Sequence, residues 1–285
     1  MANIRQIRRR IRGVQSTAKI TRAMEMIATS KMRRAQEAGV AGRPYDEKIR
    51  QVISALAALP QAGGAPHPLL QRRPVGRIAV VHITPDRGLC GGLNANLNRT
   101  TASFLLEQTV PVTLITVGRK GNEFMRRTGR EIRAEFARIG DRPSLMDTLP
   151  ISRIVIDDYS SGLVDMVYLV FSRFVTTMTQ TPVLEQLLPI EPLELPAMQN
   201  VEYIYEPDSE VVLGELLPRF VEMEVYHAVL ESIASEQSAR MVAMRNATES
   251  AKELIEDLTL MYNKARQESI TTELLDIAGG AAALK

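Results

Sequence analysis

The sequence predicts an α/β body combined with a long α-helical antiparallel coiled coil formed by its N- and C-terminal helices. Three observations carry this. Apolar residues follow a heptad spacing at both ends of the chain, short β-branched runs replace that spacing in the middle, and a Pro- and Gly-rich link separates the first two patterns.

The C-terminal third, residues 209–278, carries the stronger seam: Met244, Ala247, Ala251, Leu254, Leu258, Met261 and Ala265. Steps alternating between three and four residues mark a helix packed along another helix. Upstream, Val221, Val225, Val229 and Ile233 continue one apolar face, and no Gly or Pro occurs between Arg219 and Ala278. A helix of about 60 residues would be roughly 90 Å long, well beyond what one small domain covers. Most of it must therefore lie against something other than a globular core.

The N-terminus repeats the pattern with Ile4, Ile7, Ile11, Val14, Ala18 and Thr21, and a neighbouring stripe of Ile20, Met24, Ile27 and Met32 widens the face. After the weak point of Gly39, Gly42 and Pro44 the spacing resumes at Tyr45, Ile49, Val52, Leu56 and Leu59. This reads as one helix, kinked near Pro44 and ending before Pro60. Residues 1–59 and 209–285 are thus expected to be the two coiled-coil segments. The first 34 residues hold ten basic side chains against the single acid Glu25, whereas the last third is acidic, with Glu249, Glu253, Glu256 and Asp257. Opposite charge suits the two segments to each other.

Residues 60–74 (PQAGGAPHPLLQRRP) form the link. Beyond it, 77–84 reads as a buried strand, 94–108 as a helix and 110–117 as a second strand. Residues 120–128 form a helix with Gly129 as its C-cap, and 131–139 a third strand. A helix from Ser144 to about Tyr159 and a strand over 165–174 follow. The segment 183–189 is an edge strand bracketed by Pro182 and Pro189, and 201–205 is a further strand. Strands alternating with helices imply a Rossmann-like, mostly parallel sheet covered on both faces, with the body spanning 75–206.

Formal net charge is +2, and the lone cysteine, Cys90, excludes an internal disulfide and fits a reducing compartment. No apolar run reaches about 18 residues, so no bilayer span is expected, and the charged N-terminus is no secretory signal. The candidate chemistry lies in Thr84-Pro-Asp-Arg-Gly-Leu-Cys-Gly-Gly-Leu-Asn94. It fits neither GxGxxG nor GxxxxGK[ST], so Gly88, Gly91 and Gly92 read as a tight turn of the body and not as a phosphate cradle. Cys90 reads as a small buried thiol. The three histidines, His67, His82 and His227, are too scattered for zinc. Neither a catalytic set nor a cofactor or metal site is expected. A nucleotide-dependent enzyme with helical arms is disfavoured by the missing phosphate motif. A nucleic-acid-binding coiled coil is disfavoured because the acidic C-terminal helix offers the basic helix an internal partner.

Three blocks carry a family resemblance. Residues 11–32 (IRGVQSTAKITRAMEMIATSKM), residues 84–94 (TPDRGLCGGLN), and residues 239–248 (ARMVAMRNAT) with 262–273 (YNKARQESITTE) resemble the gamma subunit of the F-type rotary ATP synthase. The resemblance spans essentially the whole chain. It implies a non-catalytic central-stalk rotor that couples proton or sodium flow to ATP synthesis or hydrolysis. The helix pair would stand inside a hexamer of three alpha and three catalytic beta subunits. The body would stand against the epsilon subunit and the membrane c-ring, as part of a peripheral complex on the cytoplasmic face of a bacterial plasma membrane. By the same resemblance, Met24, Arg266, Gln267, Thr271 and Glu273 are partner contacts. The cysteine pair of the plastid form has no counterpart beside Cys90.

Overall fold

The computed structural model describes residues 4–58, 67–191, 205–206 and 208–283. Helix α1 spans Ile4–Ala58 and helix α5 spans Ser209–Ala283. Between them lie β1 (Ile78–Ile83), α2 (Leu93–Glu107), β2 (Val112–Val117), α3 (Arg119–Arg127), β3 (Ile132–Phe136), α4 (Leu145–Ser160), β4 (Met166–Phe174) and β5 (Gln180–Leu188). A short 3-10 turn, Pro68–Leu70, precedes β1. The residues group into two compact units, 1–28 with 241–285, and 29–240. The strand expected over 201–205 falls at 201–204 on residues outside those described.

In the larger unit the strand order is β3-β2-β1-β4-β5. The pairs β1–β2, β1–β4 and β2–β3 are parallel, and β5 closes the edge antiparallel to β4. Every residue of β1 is buried, as expected of a central parallel strand covered on both faces. Its side chains divide by parity. Ala79, Val81 and Ile83 join a core with α4, the 35–56 part of α1 and the 213–234 part of α5. Ile78 and Val80 join a second core with α2 and α3.

Local signals explain the element ends. Gly129 takes a left-handed φ of 69°, its N–H donates to the Arg126 carbonyl, and the Arg130 N–H donates to that of Met125. That is the paired hydrogen bonding of a glycine-closed helix C-terminus. Ser144 precedes α4, and its N–H donates to the Asp147 carboxylate at 2.8 Å. One expectation is revised. Pro182 lies inside β5 and does not bracket it, which the sheet edge tolerates because no ladder bond is needed there. As expected of the single long segment ending before Pro60, helix α1 runs as one helix through Pro44. Near it, a Cβ on Gly42 would come within 2.5 Å of the His227 ring, so glycine there lets α1 approach α5 closely.

His82 is the one histidine of β1, and it is fully buried. Its Nε2 lies 2.9 Å from Asn98 Oδ1 and its Nδ1 2.9 Å from Thr101 Oγ1 on α2. Burial pushes its pKa down to about 4, against the hydrogen bond to Asn98, which raises it. The folded state thus holds the ring neutral where the unfolded chain takes up a proton. Stability is full above about pH 6.5 and falls until about pH 4, by about 3 kcal/mol. An NMR titration of the ring should find it neutral at pH 5.5; an ordinary imidazole midpoint would mean that water reaches the site.

Candidate partner-contact surfaces

In an open α/β sheet, ligands sit outside the carboxyl ends of the strands where the strand order reverses. Here that place is between β1 and β4, and α5 occupies it. The Glu231 carboxylate accepts the Phe174 N–H at 2.8 Å, and Ser235 Oγ donates to the Ser172 carbonyl at 2.8 Å. Arg240 donates to the Gly88 carbonyl at 3.1 Å and pairs with Glu236 at 2.7 Å. Burial raises the pKa of Glu236, and Arg240 opposes that rise. The space left among Thr84, Gly118, Ser232 and Glu236 is about 50 Å³, far below the several hundred Å³ that a nucleotide needs.

A helix N-terminus attracts anions, and at the start of α3 the anion is the chain's own Asp86. Its carboxylate accepts the N–H of Arg119 at 3.1 Å and that of Arg138 at 2.9 Å, with the Arg119 side chain 3.8 Å away. In the adjoining turn Leu89 and Gly91 take left-handed φ values of 63° and 58°. Gly92 caps α2 at a φ of −84°, and a Cβ on Gly88 would meet nothing within 4 Å. Cys90 is buried, with Asn94 Nδ2 3.4 Å from its sulfur, and burial pushes the thiol pKa up. Such a thiol is a weak nucleophile.

In the smaller unit the ends of α1 and α5 pair. Thr21 Oγ1 lies 2.7 Å from Thr248 Oγ1, and the Arg245 guanidinium donates to Glu25 at 2.9 Å. Moving up α1 from residue 21 to 25 moves down α5 from 248 to 245, so the helices are antiparallel. On α5 between residues 244 and 265 the buried or half-buried positions are Met244, Ala247, Thr248, Ala251, Ile255, Leu258, Tyr262 and Ala265. Two residues assigned to the seam from sequence are not in it: Leu254 is 37% and Met261 60% exposed. The widening stripe on α1 is revised too, since Ile20 and Ile27 are exposed while Met24 is half-buried and Met32 buried. Both revisions have one cause. The seam is a narrow a/d strip, and apolar residues one position off it face outward.

The sequence profile described as ATP synthase matches residues 3–284. The ATP synthase gamma chain of Dehalococcoides mccartyi is 70% identical over 284 residues, covering all of both chains. The chain belongs to the ATP synthase gamma chain family. The gamma chain of Herpetosiphon aurantiacus is 50% identical over 293 residues, covering all of this chain and 99% of its own. In fold, the chain is similar to one in the rotor of the Euglena gracilis mitochondrial ATP synthase, with a TM-score of 0.65 at 20% identity over 94% of this chain and 98% of that one.

The contact residues expected of a gamma chain all lie in the smaller unit. Met24 is half-buried, one residue from the Glu25–Arg245 pair, whereas Arg266, Gln267, Thr271 and Glu273 are exposed on α5. Thr271 Oγ1 donates to the Gln267 carbonyl at 2.9 Å, and Ser269 Oγ lies 3.4 Å from the Glu273 carboxylate. Beyond Ser269 every described side chain is exposed through Gly279. Among them Leu274, Leu275 and Ile277, at 62–70% exposure, were missed from the sequence. Their signal was apolar residues continuing along α5 past Ala265, the last residue of the predicted seam. Gly118 and Gly121 were missed as well. A Cβ on either would fall within 3 Å of Thr84.

Proposed function

We propose that this gamma chain is the central-stalk rotor subunit of an F-type ATP synthase. It catalyses nothing itself and couples ion flow through the membrane c-ring to ATP synthesis or hydrolysis by rotating. The observation that carries this reading is the antiparallel helix pair, which satisfies itself along a narrow seam and leaves a mixed polar and apolar exterior on α5. A cam that meets equivalent partners in turn needs contacts that form and break, and isolated polar groups between apolar ones supply them. In this reading the pair, drawn from residues 1–59 and 209–285, stands within the ring of alpha and beta subunits. The body, residues 75–206, meets epsilon and the c-ring. In this reading the assembly lies peripherally on the cytoplasmic face of the membrane; no described helix is long and apolar enough to cross a membrane.

Met24, Arg266, Gln267, Thr271 and Glu273 are the proposed contacts to the alpha and beta subunits. Replacing both Arg266 and Gln267 by alanine tests this. Both are exposed, so folding stability should stay within about 0.5 kcal/mol. A hydrogen bond to a charged partner group contributes about 1.5–3 kcal/mol, so ATP turnover of the reconstituted complex should fall by roughly tenfold or more. A collapsed thermal midpoint with turnover intact would make the two residues structural.

A further inference from the structure

Between residues 231 and 240, α5 is fastened to the sheet by polar groups as well as by packing. The Glu231 carboxylate accepts the Phe174 N–H, Ser235 Oγ donates to the Ser172 carbonyl, and Ser238 Oγ donates to the Thr177 carbonyl, each at 2.8 Å. Gln180 Nε2 donates to Ser238 Oγ at 3.3 Å, and Arg240 donates to the Gly88 carbonyl at 3.1 Å. Ser235 and Ser238 are fully buried.

Four of these five bonds join an α5 side chain to backbone at the end of β4, in the turn after it or in the turn after β1. Backbone atoms in an ordered sheet and its turns have no rotamers to absorb motion, and serine has the shortest polar side chain. Apolar contacts are non-directional, so a helix held by them alone can roll on a sheet at little cost. Hydrogen bonds weaken steeply as they leave alignment, so this row resists roll. The spacing 231, 235, 238 keeps the row on one face of the helix.

We propose that Glu231, Ser235, Ser238 and Arg240 form a torsional clamp that fixes the roll of α5 against the sheet, so that torque on the helix turns the body with it. The clamp rests on the rotor reading. Its members are positioning residues, and what they set is rotational stiffness.

The test uses the reconstituted complex, with a rod-shaped probe attached to the body and the catalytic ring immobilised. The double variant S235A/S238A removes three of the five bonds and adds no bulk. Angular variance of the probe in the stalled state should rise roughly twofold, because bonds in parallel add their stiffness. Ions pumped per ATP hydrolysed should fall, and the midpoint of the isolated chain should drop as well, because the carbonyls of Ser172 and Thr177 lose their donors. Ile233→Val is the packing control: it should lower the midpoint and leave angular variance unchanged. Equal variance in S235A/S238A and parent overturns the clamp, as does an equal rise in Ile233→Val, which would make stiffness a matter of packing. Failure of the parent complex to rotate the probe at all would overturn the rotor reading itself, and the clamp with it.

Discussion

Replacing Gly118 with alanine should unfold the body, at a cost of at least about 4 kcal/mol. Gly118 has φ 90° and ψ 148°, a region that L side chains rarely enter. An added Cβ would stand 1.8 Å from the Thr84 carbonyl oxygen. That oxygen cannot retreat, because Thr84 is the hub of the strand ends. Its N–H donates to the Val117 carbonyl at 2.8 Å, and its Oγ1 accepts the Gly121 N–H at 2.8 Å. Two comparison variants divide the cost. Gly91→Ala carries left-handed strain in open space and should lose about 1–2 kcal/mol. Gly88→Ala meets nothing and should stay within about 0.5 kcal/mol. Urea unfolding of the three would order them, and a loss in Gly118→Ala no greater than in Gly91→Ala would show that the carbonyl does move.

Arg240→Met should be the most damaging change on α5, at about 3–5 kcal/mol. The side chains of Arg240 and Glu236 are 10% and 15% exposed, so removing the guanidinium leaves a carboxylate desolvated with no counter-charge. Such a carboxyl protonates more readily when folded than when unfolded. Stability of the variant is therefore retained below the ordinary carboxylate range and lost as pH rises through the raised pKa of Glu236. Its deficit against the parent should be larger at pH 8 than at pH 5. Adding Glu236→Gln should recover most of the loss at pH 8, as expected of coupled neighbours. A deficit independent of pH and unrelieved by the second change would assign the role of Arg240 to its bond with Gly88.

Much of the architecture was legible in the sequence because the two periodicities are distinct. The run Ile78-Ala-Val-Val-His-Ile83 cannot be read as one helical face, and the alternating steps of three and four cannot be read as a strand. What the sequence could not settle was which of two overlapping seams faces inward. The positions Met244, Ala251, Leu258 and Ala265 belong to both. Between them, apolarity favours Ala247, Leu254 and Met261, whereas the fold turns Thr248, Ile255 and Tyr262 inward and leaves Ala247 half-buried and the other two exposed. Thr248 is turned inward because Thr21 meets it, and a pairing across 227 residues leaves no local trace. The glycine turn was legible as a turn. Gly118 and Gly121, two of the glycines with crowded neighbours, flank the charged pair Arg119-Lys120, and only the Thr84 and His82 side of the contact reveals their need.

The carboxylate of Asp86 on the start of α3 bears on how a gamma chain behaves in a cell whose nucleotide pools rise and fall. A tethered ligand competes at an effective concentration of order millimolar or above, and it is present at every moment. Free phosphate esters would have to expel it and then lie against a helix that already fills the cleft. The body has an open parallel sheet of the kind whose strand ends hold ligands in other proteins, and here that end is occupied by the chain's own Asp86 and α5.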